Sequence, residues 1–148
     1  MFFRKKHIKT AVGRSLDAFI AYGTKKGTVN AGLIKGKAAP EVIDRGVYNN
    51  FGTDHVPERP FLNNAMRDNQ FSYKVIVGKG MIKTLLRRGS TRDMLEELGE
   101  KMKDDIQKEI LELSSPPNAP ATVKKKGFND PLLETYEMVE SIDYEVET

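Results

Sequence analysis

The sequence has no cysteine, no tryptophan and only two histidines, His7 and His55. Without cysteine there is no disulfide, no thiol nucleophile, no zinc finger and no iron–sulfur cluster. Two imidazoles are too few for a His-rich metal site within one copy. No run of residues approaches the roughly 20 apolar positions that a membrane-spanning helix needs. Met1-Phe2-Phe3-Arg4-Lys5-Lys6 turns basic before the apolar core of a signal peptide can form, so synthesis in the cytosol, with no membrane partner, is the expectation.

What is present fits one folded unit. At 148 residues the chain is a single domain, 1–148, with one core. Leu, Ile, Val and Phe make up about a quarter of it, above the range of disordered chains. Charged residues reach 30%, so the core is modest. Charge is unevenly spread. Residues 1–40 carry nine lysines and arginines against one acid, Asp17, whereas residues 127–148 carry seven acids and no base. Such ends attract one another within a chain, across neighbouring copies, or, for the basic part, attract nucleic acid.

Periodicity predicts an α+β fold: a few helices packed on a small, mainly antiparallel sheet, with an extended proline-rich arm. Ile8, Val12, Leu16, Phe19 and Ile20 predict a helix over 8–22 within a basic N-terminal region, 1–26. Val29, Ala31 and Leu33 alternate as a strand does. Pro40 to Phe51 has a proline suited to a first turn and a glycine just past its end, and places Val42 and Val47 on one face. Pro57 and Pro60 stiffen the segment between them, and Pro60 suits the start of a helix through Leu62 and Met66. Residues 71–88 mix strand and helix spacing, and helix is favoured. The strongest helix is 91–113, with an apolar stripe from Met94 to Leu113, a capping box from Ser90 to Asp93, and supporting pairs Glu97/Lys101 and Asp104/Lys108. Residues 115–131 predict an exposed, extended excursion. A short helix anchored by Leu132, Leu133, Tyr136 and Val139 follows, then a last strand carrying Ile142, Tyr144 and Val146.

No catalytic constellation stands out. A phosphate loop requires Gly directly before its Lys, and Ile82 precedes Lys83; Gly78-Lys79-Gly80 lacks the third glycine of a dinucleotide fingerprint. Neither a nucleophile with its base nor a carboxylate loop for a divalent cation appears. The expectation is a protein that is not an enzyme and takes no cofactor or metal. The basic residues are more suggestive. Lys79, Lys83 and Arg87 recur every four residues, opposite Ile82 and Leu86, and no acid lies between Asp68 and Asp93. With the run Lys124-Lys125-Lys126 they are the candidates for a phosphate-facing surface.

Asn50-Phe51-Gly52-Thr53 followed by Val56-Pro57-Glu58-Arg59-Pro60-Phe61-Leu62 resembles the signature of the phage virion morphogenesis, or tail completion, proteins of lambdoid type. Leu98-Gly99, Pro117-Asn118-Ala119-Pro120 with Lys126-Gly127, and Pro131-Leu132 with Ser141-Ile142 resemble later segments of that family in the same order. Glu134-Thr135-Tyr136 departs from the family's Asp-Thr-Gly, which takes flexibility from that turn. The resemblance implies a structural virion protein made in the host bacterial cytoplasm. It would act at the neck of a tailed phage, completing the tail or joining it to the head. Its partners would be copies of itself in a ring, adjoining head-connector and tail-terminator or tail-tube proteins, and at most weak, non-specific contact with DNA in transit.

On that basis the expected partner-facing residues are Phe51, Thr53, Pro57, Arg59, Pro60 and Phe61, then Pro117, Asn118 and Pro120 on the arm, and Glu137 and Glu140 of the acidic end. Phe51 and Phe61 have the alternative of filling the chain's own core, and Arg59 that of pairing with an acid of the C-terminal helix. Reversing Glu137, Glu140 and Asp143 to lysine is expected to impair assembly in a chain that stays folded. The rival from another class is a small basic nucleic-acid-binding regulator, although no helix-turn-helix or RNA-recognition motif is present.

Overall fold

A 22-residue helix runs through the middle of the fold and nearly every other element leans on it. The structure is a computed structural model that describes residues 27–127, 132 and 136–148. The helix expected over 8–22 lies outside the described residues, as do Asp130, Pro131 and Leu133 to Thr135. In chain order the elements are β1 (Thr28–Leu33), α1 (Pro40–Phe51), α2 (Phe61–Asp68), α3 (Gln70–Leu85), α4 (Thr91–Glu112), α5 (Pro120–Lys126), α6 (Glu137–Glu140) and β2 (Ile142–Glu147). The class is α+β, with a two-stranded antiparallel sheet.

The central helix, α4, begins where its sequence says. Ser90 accepts from the Asp93 amide at 3.1 Å and Asp93 accepts from the Ser90 amide at 2.7 Å, a complete capping box. These bonds hold the Asp93 carboxyl below the usual carboxylate range. The stripe Leu95, Leu98, Met102, Ile106 and Ile110 is buried. Its C-terminal half meets Val42, Phe61, Ala65, Met138 and Ile142; its N-terminal half meets Tyr73, Val29 and Ile76. The polar side is stapled by Arg92–Glu96, Lys101–Asp105 and Lys108–Glu112, and Lys83 of α3 lies 3.7 Å from Glu97. The expected Glu97/Lys101 pair is thus replaced by the base-before-acid pair Lys101–Asp105, and Asp104/Lys108 by Lys108–Glu112.

The sheet joins the two ends of the described chain. Val29 sits opposite Val146, Ala31 opposite Tyr144 and Leu33 opposite Ile142, so the residues picked out by alternation in each strand share the face that packs on α4. The approach is close. A methyl group on Gly99 of α4 would collide with the Tyr144 ring, reach 2.8 Å from its Cγ, and lie 2.9 Å from Val29 Cγ2. Gly99→Ala gains helix propensity worth about 1 kcal/mol but forces the sheet off the helix. Overpacking of this kind costs up to about 3 kcal/mol, and a ring fixed within a strand cannot swing aside. The expected result is a net loss of about 2 kcal/mol by urea unfolding; an unchanged or higher midpoint would contradict this packing.

Two helices turn differently from expectation. In α1 the buried positions are Val42, Gly46 and Asn50, four residues apart, while Val47 is 45% exposed. Gly46 is inward because its missing side chain admits Leu33 of β1, and Val47 lies about 100° further round the helix. In the C-terminal turn Met138 is the buried anchor beside Leu132, and Tyr136 is exposed. Residues 115–131 are not extended throughout. Pro120 occupies a first-turn position, Gly127 ends the helix in the left-handed region at φ 81°, and α5 forms between them.

Candidate functional site

The conspicuous local structure is the connector from α1 to α2, residues 52–60, and the segment that docks on it. Gly52 stands at φ 72°, and a Cβ there would sit 3.1 Å from the Glu58 amide, so glycine permits both the turn and the close return of the chain. Thr53 organises the loop. Its amide donates to Val56 O at 2.8 Å, and its hydroxyl accepts from the Val56 and His55 amides at 3.0 and 3.3 Å. The Arg59 amide then donates to Asn49 O at 2.7 Å, and the Asn50 side chain accepts from the Leu62 amide at 3.1 Å, capping the first turn of α2.

Arg59 is the joint. It is 5% exposed. Nε donates to Pro116 O at 2.9 Å, Nη2 to Pro117 O at 3.2 Å and Nη1 to Asn49 Oδ1 at 3.1 Å. Its fork therefore spans three acceptors that only folding brings together, two of them 57 and 58 residues away. Proline offers a carbonyl acceptor and no amide donor, and a planar guanidinium suits several acceptors at once. Burial lowers the guanidinium pKa. Beside Arg59, Phe61 is fully buried against Val42, Ile106 and Ile110.

Two expectations are therefore corrected. Arg59 and Phe61 do not face a partner; both point inward, because α2 can pack on α4 only with Phe61 as its plug and the connector held by Arg59. Nor, among the described residues, does Arg59 meet an acid of the C-terminal helix; its partners there are carbonyl and amide oxygens. Of the remaining expected contact residues, Phe51, Thr53, Pro57, Pro117 and Pro120 are exposed, and Pro60 and Asn118 are half-buried. Phe51 is 66% exposed, so it is not core. Arg59 seats the connector and the arm against each other.

The acidic end is partly engaged within the chain. Glu137 pairs with Arg45 of α1 at 2.8 Å, and Asp143 pairs with Lys37 at 2.7 Å and Lys103 at 3.3 Å; Glu140 is exposed. The triple reversal is thus no clean test of assembly, because Asp143→Lys would face two lysines. The Lys37 ammonium, then the Tyr144 amide and Lys103, pull the Asp143 carboxyl down to about 2. A depressed carboxylate contributes stability above the usual carboxylate range and loses it as pH falls through about 2. Asp143→Asn should cost about 0.5–1 kcal/mol at pH 7, modest because the pair is partly solvated. The gap from wild type should close near pH 2; a gap independent of pH by thermal melts would refute the pairing.

The basic candidates do not all lie on one helix face. Lys79 and Lys83 are exposed on α3, but Arg87 lies past the helix end with φ 54°, and Ile82 and Leu86 are 58% and 59% exposed rather than buried opposite the stripe. α3 instead buries Tyr73, Gly80 and Thr84. Burial and the nearby Asp105 raise the Tyr73 phenol pKa. Lys124 and Lys125 are exposed on α5, which Lys126 closes.

An open, largely apolar depression of about 610 Å³ lies beside α1, lined by Lys35, Gly36, Ala38, Pro40, Ile43 and Asp44. A second, of about 420 Å³, is lined by charged groups including Lys37, Arg92, Glu96 and Asp143. Among the described residues no three His, Asp or Glu side chains converge to hold a metal ion, and no helix is long and apolar enough to cross a membrane. No family model, no curated protein and no solved structure matches the chain.

Proposed function

We propose that the chain is a structural virion protein of a tailed phage or prophage, acting at the neck to complete the tail or join it to the head. The observation that carries this reading is the Arg59 joint. The two segments that most resemble the tail completion family, 50–62 and 117–120, are far apart in sequence, and Arg59 holds the first against Pro116 and Pro117, at the start of the second. Phe51 and Pro57 of this motif are exposed. Rigid, preformed segments lose little entropy on docking, which suits a protein whose work is contact.

The partners in this reading are copies of the chain in a ring, a head-connector protein on one side and a tail-terminator or tail-tube protein on the other. DNA in transit would meet Lys124 and Lys125 weakly and without sequence preference, since strong binding would hinder ejection. Deleting the chain from the genome that encodes it should leave unjoined heads and tails in the lysate, seen by electron microscopy. Complete, infectious particles from the deletion would overturn the reading.

A further inference from the structure

Two helix faces present exposed apolar side chains, and their rims carry opposite charge. On α3, Phe71, Ile82 and Leu86 are 79%, 58% and 59% exposed and fall on one side of the helix, with Val75 between them. A globular helix normally turns one apolar stripe inward; this one has a second stripe outward. From Gln70 to Arg92 the chain carries six bases and no acid; Lys83 and Arg92 pair with Glu97 and Glu96 of α4, so Lys74, Lys79, Arg87 and Arg88 set the sign of the rim. On α1, Val47, Tyr48 and Phe51 are 45%, 53% and 66% exposed. The same side continues through Ile43 and Pro40 into the 610 Å³ depression. Its rim holds Glu41, Asp44, Asp54 and Glu58, all exposed; of the bases nearby, Arg45 is bound by Glu137 and Lys35 lines the depression.

Charge sign decides how such faces meet. Two α3 faces brought together oppose lysine with lysine, and two α1 faces oppose acid with acid; like charges across an interface cost several kcal/mol in total. Only α3 against α1 pairs opposite rims around an apolar centre. The faces belong to different parts of the fold, α1 packing on β1 and α6 and α3 on α4, so one copy can use both at once. A contact between unlike patches is heterologous, and repeated by rotation it closes a ring or continues as a filament.

We infer that the outward face of α3, Phe71, Ile82 and Leu86 with its basic rim, docks head-to-tail on the acidic-rimmed face of α1, Val47, Tyr48 and Phe51, of a second copy of this chain. This builds on the ring-forming role proposed above and names the surfaces that would form the ring. Each contact is small, and closing the ring makes several of them act together.

The absence of cysteine makes a clean test available. Phe51→Cys and Ile82→Cys are made singly and together in the full chain, both at exposed sites, and treated at high protein concentration with a short bismaleimide. The expected result is little product from either single variant, a strong dimer from their equimolar mixture, and a ladder of dimers, trimers and longer species from the double variant. Adding Lys74→Glu and Lys79→Glu to the double variant should abolish the ladder. Dimers from one single variant alone would mean a like-to-like contact and overturn the proposal. So would no product while both thiols react freely with a small maleimide, which assigns the faces to a different protein. So would an α3 thiol that is protected in the monomer, which means the chain covers that face itself. The outcome is separable from that of the neck reading: no ladder from a chain found in particles overturns only the face pairing, and a ladder from a chain absent from particles leaves the contact standing without the neck role.

Discussion

Phe61→Ala is expected to destabilise the fold by about 3–5 kcal/mol, the cost of emptying a buried phenylalanine site. The ring is fully buried between α1, α2 and α4, touching Val42, Ala65, Ile106 and Ile110. It sits at the first position of α2, directly after Pro60, so the backbone cannot shift to fill the void without breaking the connector. A small domain holds only about 5–15 kcal/mol in all, so this one change consumes much of it. Phe51→Ser, ten residues earlier in the same motif, should cost under about 0.5 kcal/mol, since its side chain is mostly in solvent. Urea unfolding of both variants separates the two phenylalanines. Equal costs would contradict the burial described here, and a large cost for Phe51 alone would reverse it.

Arg59→Ala is expected to cost about 2–3 kcal/mol and to free the arm. Removing the guanidinium leaves the Pro116 and Pro117 carbonyls and the Asn49 side-chain oxygen without this donor. Arg59→Lys should recover little. One ammonium on a flexible stem cannot reproduce a fork that spans three acceptors. The distinguishing readout is local: residues 114–119 should become protease-sensitive in both variants under conditions where α4 remains intact. Protection of that segment in Arg59→Ala would show that the arm is held by something else.

The parts of the fold that were legible in the sequence are those governed by local rules. Pro40 and Gly52 bound α1, the Ser90–Asp93 box starts α4, and alternation of Ile142, Tyr144 and Val146 marks β2, because each is decided by neighbours a few residues away. The misjudged parts depend on distant partners. Val42 and Val47 are expected on one face, yet the inward side of α1 is set by Leu33 needing the space at Gly46, which leaves Val47 exposed. Residues 120–126 resemble a solvated arm in composition, and the helix there rests on Pro120 and Gly127 rather than on an apolar stripe.

The candidate site divides the same way. The motif covers the residues of the connector, but it does not show what Arg59 and Phe61 contact. Arg59 is expected to meet a partner or a carboxylate, yet two of its three acceptors are backbone carbonyls, which leave no mark in a sequence. Asn49 and Asn50 carry further bonds of the connector, and asparagines at a helix end have many ordinary uses. The outward stripe of α3 had a visible signal in hindsight: residues 71–88 are apolar on more sides than one buried face can use, which is also why helix and strand spacing competed there.

The central claim is that this chain is built into a particle. Quantitative mass spectrometry of tailed particles, purified by density gradient from a lysate of the source, tests it most directly. The account predicts that the chain stays with the particles through the gradient, in the small, fixed copy number of a single ring relative to the major capsid and tail proteins. Intact tailed particles that lack the chain would contradict it.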